Sequence, residues 1–104
     1  MIKPSTIDAR NATAPARPVL VRLAPLLVNL FPGAQGRLEL RVGSVREMVD
    51  ALDARWPGMR DRICDSTPAV RRHINIFVEG TRATLATQLP PGADVFILTA
   101  ISGG

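Results

Sequence analysis

The sequence predicts an α+β fold in which one helix lies across one face of a small sheet. Three observations predict it. Arg37–Val42 alternates charged and aliphatic side chains, Ser44–Trp56 carries an apolar stripe behind a helix-capping signal, and Asp94–Ile101 is apolar on both faces. A strand apolar on both faces belongs at the centre of a sheet. A half-polar strand and an amphipathic helix each need a single covering layer.

The elements follow in chain order. Met1–Pro18 has no sustained apolar period and holds Pro4, Pro15 and Pro18, so residues 1–17 are read as a flexible N-terminal extension and 18–104 as one folded domain. Val19–Leu23 is rich in β-branched and aliphatic residues and predicts a strand, broken at Pro25, which cannot donate to a ladder. Leu26–Phe31 predicts a short helical turn, closed by Pro32-Gly33. In the strand Arg37–Val42, the side chains Leu38, Leu40 and Val42 share one face. Ser44 and Glu47 form a capping box, and Val45, Met48, Val49, Leu52 and Trp56 then fall on one helical stripe that Pro57-Gly58 ends. Met59–Arg72 stays open between a helical turn and a loop. His73–Val78 alternates as a strand, Glu79-Gly80 is a turn, Thr81–Leu89 is irregular with room for a short edge strand, and Pro90-Pro91-Gly92 turns the chain into the final strand.

The composition of this 104-residue chain narrows the function classes. Hydrophobic residues make up 46% and aromatics only 4%, which calls for an aliphatic core. The net charge of +4 comes from twelve arginines and the single Lys3, but the arginines are interleaved with Asp and Glu, as on a solvated face. Arg71-Arg72 is the one adjacent basic pair, and no basic strand carries the aromatics that stack bases, so a nucleic-acid partner is not expected. No apolar run is long enough to span a membrane, no secretory layout opens the chain, and Cys64 is alone, so a cytoplasmic location is expected. Cys64 and His73 have no partner at catalytic or metal-ligand spacing and are read as structural. No metal site and no acid–base constellation is visible, so a stand-alone enzyme is not expected.

The sequence ends Ile101-Ser102-Gly103-Gly104. Glycines lack Cβ atoms, so such a tail threads a channel too narrow for other residues. Extended, the last four residues reach roughly 13 Å. Gly104 is read as bearing a free carboxylate that serves as the working group. Gly103, Ser102 and Ile101 form the tail that delivers it. One sheet face packs on the helix, and the other carries Phe77 with Phe96 or Leu98, which makes these three the candidate partner-docking residues.

Several segments together resemble the MoaD/ThiS-type ubiquitin-like sulfur carriers, which include the small subunit of molybdopterin synthase and the thiamine- and cysteine-pathway carriers. They are Val21–Leu26, Ser44–Glu47, Arg55–Gly58, Ile74–Gly80, Pro91–Val95 and Ala100–Gly104, in that order. The family turn usually has Asn or Asp where this chain has Glu79. The resemblance implies a β-grasp fold, with a four- to five-stranded mixed sheet and one main helix on one face. It implies a carrier or substrate protein, or the non-catalytic small subunit of a synthase. It further implies that an adenylating enzyme related to the ubiquitin-activating enzymes, using ATP-Mg, forms a transient acyl-adenylate at Gly104. A sulfur donor then converts this to a thiocarboxylate, which feeds an acceptor such as a molybdopterin-synthase large subunit or a cysteine or thiazole synthase. A ubiquitin-like modifier conjugated through Gly104 and a binding-only β-grasp module remain the alternatives.

Overall fold

The computed structural model describes residues 17–67 and 69–99. The flexible extension expected over residues 1–17 therefore falls, Arg17 excepted, outside the described residues. The elements are β1 (Val19–Leu23), α1 (Pro25–Leu30), β2 (Arg37–Leu40), α2 (Val45–Arg55), α3 (Met59–Ile63), β3 (Ile74–Val78), β4 (Thr81–Arg82) and β5 (Asp94–Thr99). They form one mixed sheet in the order β2-β1-β5-β3-β4. β5 runs parallel to β1 and antiparallel to β3, so the strand that is apolar on both faces is central, as its sequence requires. The fold is the expected β-grasp.

The core is aliphatic. Val21, Ile76, Val95 and Ile97 from the sheet meet Val45, Met48, Val49 and Leu52 from α2, and all are buried. Trp56 packs against this cluster at the end of the helix. The start of α2 shows why the helix begins where it does. Four backbone N–H groups at a helix start lack intrahelical partners. Here the Thr87 carbonyl accepts from Val45 and the Leu85 carbonyl from Arg46, the Ser44 hydroxyl accepts from Glu47 at 3.2 Å, and the Ser44 carbonyl accepts from Met48. The Glu47 carboxylate reaches back one residue beyond the N-cap, to the Gly43 N–H at 2.7 Å, in a variant of the capping box. Residues 83–89 thus run along the helix start, tied by the Ser44–Gln88 bridge.

One segment differs from the expectation, and a second takes one of the two forms left open for it. Val42 lies past the end of β2, half-buried, because the chain turns there to seat the Ser44 cap. The open stretch after Gly58 contains α3, too short to show a period. Its start is fixed from α2. The Asp53 carboxylate accepts from the Gly58 and Arg60 N–H groups at 3.0 Å each, and the Arg60 guanidinium reaches Asp50 at 2.6 Å. Gly58 makes the corner with φ +101°, and a Cβ there would meet the Phe31 ring at 3.3 Å.

The N–H bond from Arg60, with help from that of Gly58, holds the Asp53 carboxyl below its usual range. A carboxylate whose pKa is depressed on folding stabilises the fold above its unfolded pKa, and that stability is lost as pH falls through the folded value. Asp53→Asn is therefore expected to flatten the acid limb of stability below about pH 4. Thermal melts of both proteins between neutral and acid pH check this. Parallel curves would show that Asp53 carries no proton linkage.

The turn between β3 and β4 is the Glu79-Gly80 turn that the sequence predicts. Glu79 has φ +51° and Gly80 φ +83°, both in the left-handed region, as a two-residue hairpin turn demands. Asn or Asp tolerates that conformation better than Glu. Glu79 is compensated by a clamp on β5: its N–H donates to the Asp94 carbonyl at 2.8 Å, and its carboxylate accepts from the Asp94 N–H at 2.6 Å.

Candidate functional site: the outer sheet face and the end of β5

Phe96 and Leu98 alternate with Val95 and Ile97 along β5. The inner pair is fully buried, so both Phe96 and Leu98 face away from the helix, where the sequence left a choice between them. Phe77 lies opposite Phe96 in the β3–β5 ladder, and Asn75 lies opposite Leu98. The two phenylalanines are half-buried, and Leu98 is 39% exposed. The three candidate docking residues thus form one patch on the outer face.

Arginines frame this patch in register. Arg22 lies opposite Phe96 on one side and Arg37 on the other, and Arg82 lies opposite Phe77. The row across five strands reads Arg37, Arg22, Phe96, Phe77, Arg82. The Arg22 guanidinium carbon stands 4.8 Å from the centre of the Phe96 ring, within cation–π reach. The face therefore suits a partner that buries apolar surface and brings carboxylates to the margin. Sequence reasoning missed the arginines. The alternation of Val21, Arg22 and Leu23 signals that Arg22 points outward, but its position over Phe96 depends on the parallel β1–β5 register.

The end of the sheet that carries the tail is equally defined. Parallel pairing sets Leu23 beside Ile97, and the Ala24 N–H donates to the Ile97 carbonyl at 2.8 Å. α1 therefore begins beside the last residues of β5, from which residue 100 continues. Pro25 sits in the first turn of α1, where a missing N–H costs nothing. Leu27 of α1 is buried, whereas Leu26 is 55% and Leu30 43% exposed. These two leucines were also missed. Their signal is the pair at i and i+4 around a buried Leu27. The tail residues Ile101, Ser102, Gly103 and Gly104 lie outside the described residues.

Cys64 and His73 stand apart from this face. Cys64 is buried in a bridge with Val70, and burial pushes its thiol pKa up, which disfavours the nucleophilic thiolate. His73 is exposed just ahead of β3. Among the described residues no helix is long and apolar enough to cross a membrane, and no group of three or more His, Cys, Asp or Glu is placed to hold a metal.

No protein-family model and no curated protein sequence matches the chain. Solved structures do match. SAMP1 from Haloferax volcanii superposes with a TM-score of 0.70 at 21% identity, over 84% of this chain and 99% of that one. A chain of the BexX/CysO complex from Amycolatopsis orientalis gives 0.71 at 24% identity, over 83% and 99%. CysO from Mycobacterium tuberculosis gives 0.69 at 25% identity, over 80% and 99%. Haloferax SAMP1 is described as a small archaeal modifier protein. The matches establish the ubiquitin-like β-grasp fold, and they agree with the resemblance to the MoaD/ThiS-type carriers carried by the sequence.

Proposed function

We propose that the chain is a ubiquitin-like sulfur carrier whose Gly104 carboxylate is its reactive group. The observation that carries the proposal is the continuity between β5 and the Gly-Gly ending. The strand is held on both sides, by β1 and by β3, so the residues that follow it are attached to the most firmly paired strand of the fold. The outer patch of Phe77, Phe96 and Leu98, framed by Arg22, supplies a surface for an activating enzyme.

The chemistry explains why an activating enzyme is needed. A carboxylate is a poor electrophile because attack adds charge to a group already ionised at neutral pH. In the proposed sequence, a Gly104 carboxylate oxygen attacks the α-phosphorus of ATP and pyrophosphate leaves. The terminal sulfur of a persulfide donor attacks the acyl carbon and AMP leaves. A second thiol then cleaves the S–S bond, which leaves a thiocarboxylate on Gly104 for an acceptor synthase. Glycine at this position leaves the acyl carbon unhindered. The pairing of CysO with BexX in one solved complex supports a partner-dependent role for such a chain.

The test is mass spectrometry of the chain incubated with an activating enzyme, ATP-Mg and a persulfide donor. Exchange of oxygen for sulfur is expected to add about 16 Da. Methionine oxidation adds a similar mass, but the tryptic peptide 83–104 contains neither Met nor Cys, so a gain there identifies the thiocarboxylate. An unmodified peptide while the activating enzyme forms the chain's adenylate would overturn the proposal. The names of the archaeal neighbours favour a second reading, conjugation to lysines of other proteins, which the same reaction mixture would reveal as thiol-resistant heavier bands.

A further inference from the structure

Near the end of the sheet where β5 stops, a cleft of about 640 Å³ opens beside the helices. Leu30 and Phe31 give it an apolar lining, and Arg62, Arg71 and His73 give it basic groups, against Asp61 as the one acidic side chain. Leu30 is 43% exposed and Phe31 is half-buried. The Arg71 Nε donates to the Asp61 carbonyl at 2.8 Å, which fixes that side chain. Its two terminal nitrogens and the whole Arg62 guanidinium have no hydrogen-bond or ion-pair partner among the described residues. The cleft thus joins uncovered apolar surface to cationic groups that lack an anion.

The register places the end of β5 at this cleft. Thr99 lies opposite Ile74, with a Cα separation of roughly 5 Å, and His73 is the next residue back. On the other side of β5, α1 starts where the Ala24 N–H donates to the Ile97 carbonyl. β5 therefore ends between the start of α1 and His73. Five residues, 100–104, follow it, with a reach of roughly 17 Å. Val95 and Ile97 take the helix side of the sheet, and strand alternation assigns Thr99 and then Ile101 to that side.

We propose that this cleft docks the chain's own last residues, with the Ile101 side chain against Leu30 and Phe31 and the terminal carboxylate against Arg62 and Arg71. It rests on the sulfur-carrier reading in one respect, that Gly104 is the terminus and its carboxylate the group held. An exposed ion pair contributes little by itself. Tethering offsets this, because a short linker gives the tail an effective concentration on the order of millimolar. The N-terminal residues suit the cleft poorly. The Arg17 carbonyl accepts from the Gly92 N–H, at the opposite end of β5, and residues 1–16 hold Lys3 and Arg10 against the one acid, Asp8. Docking on the helix side leaves Phe96 and Leu98 open, so an activating enzyme bound to the outer face draws on the undocked fraction.

The test is NMR of the full chain with no other protein present. Order parameters of the Ser102 and Gly103 amides are expected above about 0.6, the level below which a segment counts as flexible. Removing residues 101–104 is expected to shift the amides of Phe31, Gly58, Arg62 and His73. Two variants separate the contact from the fold: Ile101→Ser alters only the tail, and Arg62→Glu changes an exposed residue of α3. Each should drop the order parameters below that level and reproduce the cleft shifts, and raising salt toward about 1 M should do so in part. Low order parameters in the parent chain, order unchanged in both variants, or shifts confined to Ile74, Leu98 and Thr99 beside the cut would each overturn the proposal. So would cleft shifts seen only on removing residues 1–16, or only as the protein is concentrated, which would assign the cleft to the N-terminal segment or to a second copy. A free tail in this test leaves the sulfur-carrier reading standing, and a docked tail in a chain that takes up no sulfur sinks that reading and not this one.

Discussion

Deleting Gly103 and Gly104 is expected to abolish sulfur loading while leaving the melting temperature unchanged. Two residues of extended chain span about 7 Å. Acyl transfer needs the reacting atoms about 3 Å apart, and a misplacement near 1 Å already costs about a hundredfold. A chain ending at Ser102 therefore cannot bring its carboxylate to the nucleotide while its body rests on the same docking face. Adding one alanine after Gly104 should fail for the complementary reason: the new carboxylate overshoots, and a Cβ stands beside the acyl carbon. Gly104→Ala should retain part of the activity, because it keeps the reach and adds only the methyl group. Rates of pyrophosphate release, measured with the activating enzyme for the three variants, check the order. Full activity in the deletion variant would show that the tail is incidental and would favour a binding-only module.

How much of this was legible in the sequence depends on how local each cause is. The Ser44–Glu47 cap was legible because both partners lie within four residues; the Ser44 hydroxyl accepts from Glu47 as expected, while the Glu47 carboxylate takes the Gly43 N–H instead of that of Ser44. The central place of β5 was legible because apolar side chains on both faces leave a compositional mark, although only the face of Val95 and Ile97 is fully buried. The Glu79-Gly80 turn was legible too, but the clamp that makes Glu79 tolerable there was not, since its partner Asp94 is fifteen residues away. Arg22 over Phe96 follows from strand order and register, which pairwise alternation does not encode. Arg71-Arg72 was noticed as a basic pair, yet the place of Arg71 in a cleft lining became visible only once Phe31 and α3 were brought beside it.

Ile97 and Leu98 are neighbours whose substitution is expected to separate stability from function. Ile97 is fully buried in β5, opposite Leu23 on β1 and Ile76 on β3. Ile97→Ala removes buried methyl and methylene groups at the centre of the sheet, where neighbours cannot collapse into the gap. A loss of about 2–5 kcal/mol is expected, a large part of the roughly 5–15 kcal/mol that a domain of this size has. Urea unfolding measures it. Leu98, one residue on, points to the other face and is 39% exposed, so Leu98→Asp should cost under about 1 kcal/mol. Its effect belongs to docking. A carboxylate placed in an apolar patch must be desolvated when a partner closes over it, and at an interface core that penalty is several kcal/mol. The Leu98→Asp chain should therefore fold normally and raise the concentration needed for half-maximal adenylation at least about thirtyfold. If Leu98→Asp is adenylated like the parent chain, the outer face is not the docking surface, and the activating enzyme must hold the domain elsewhere.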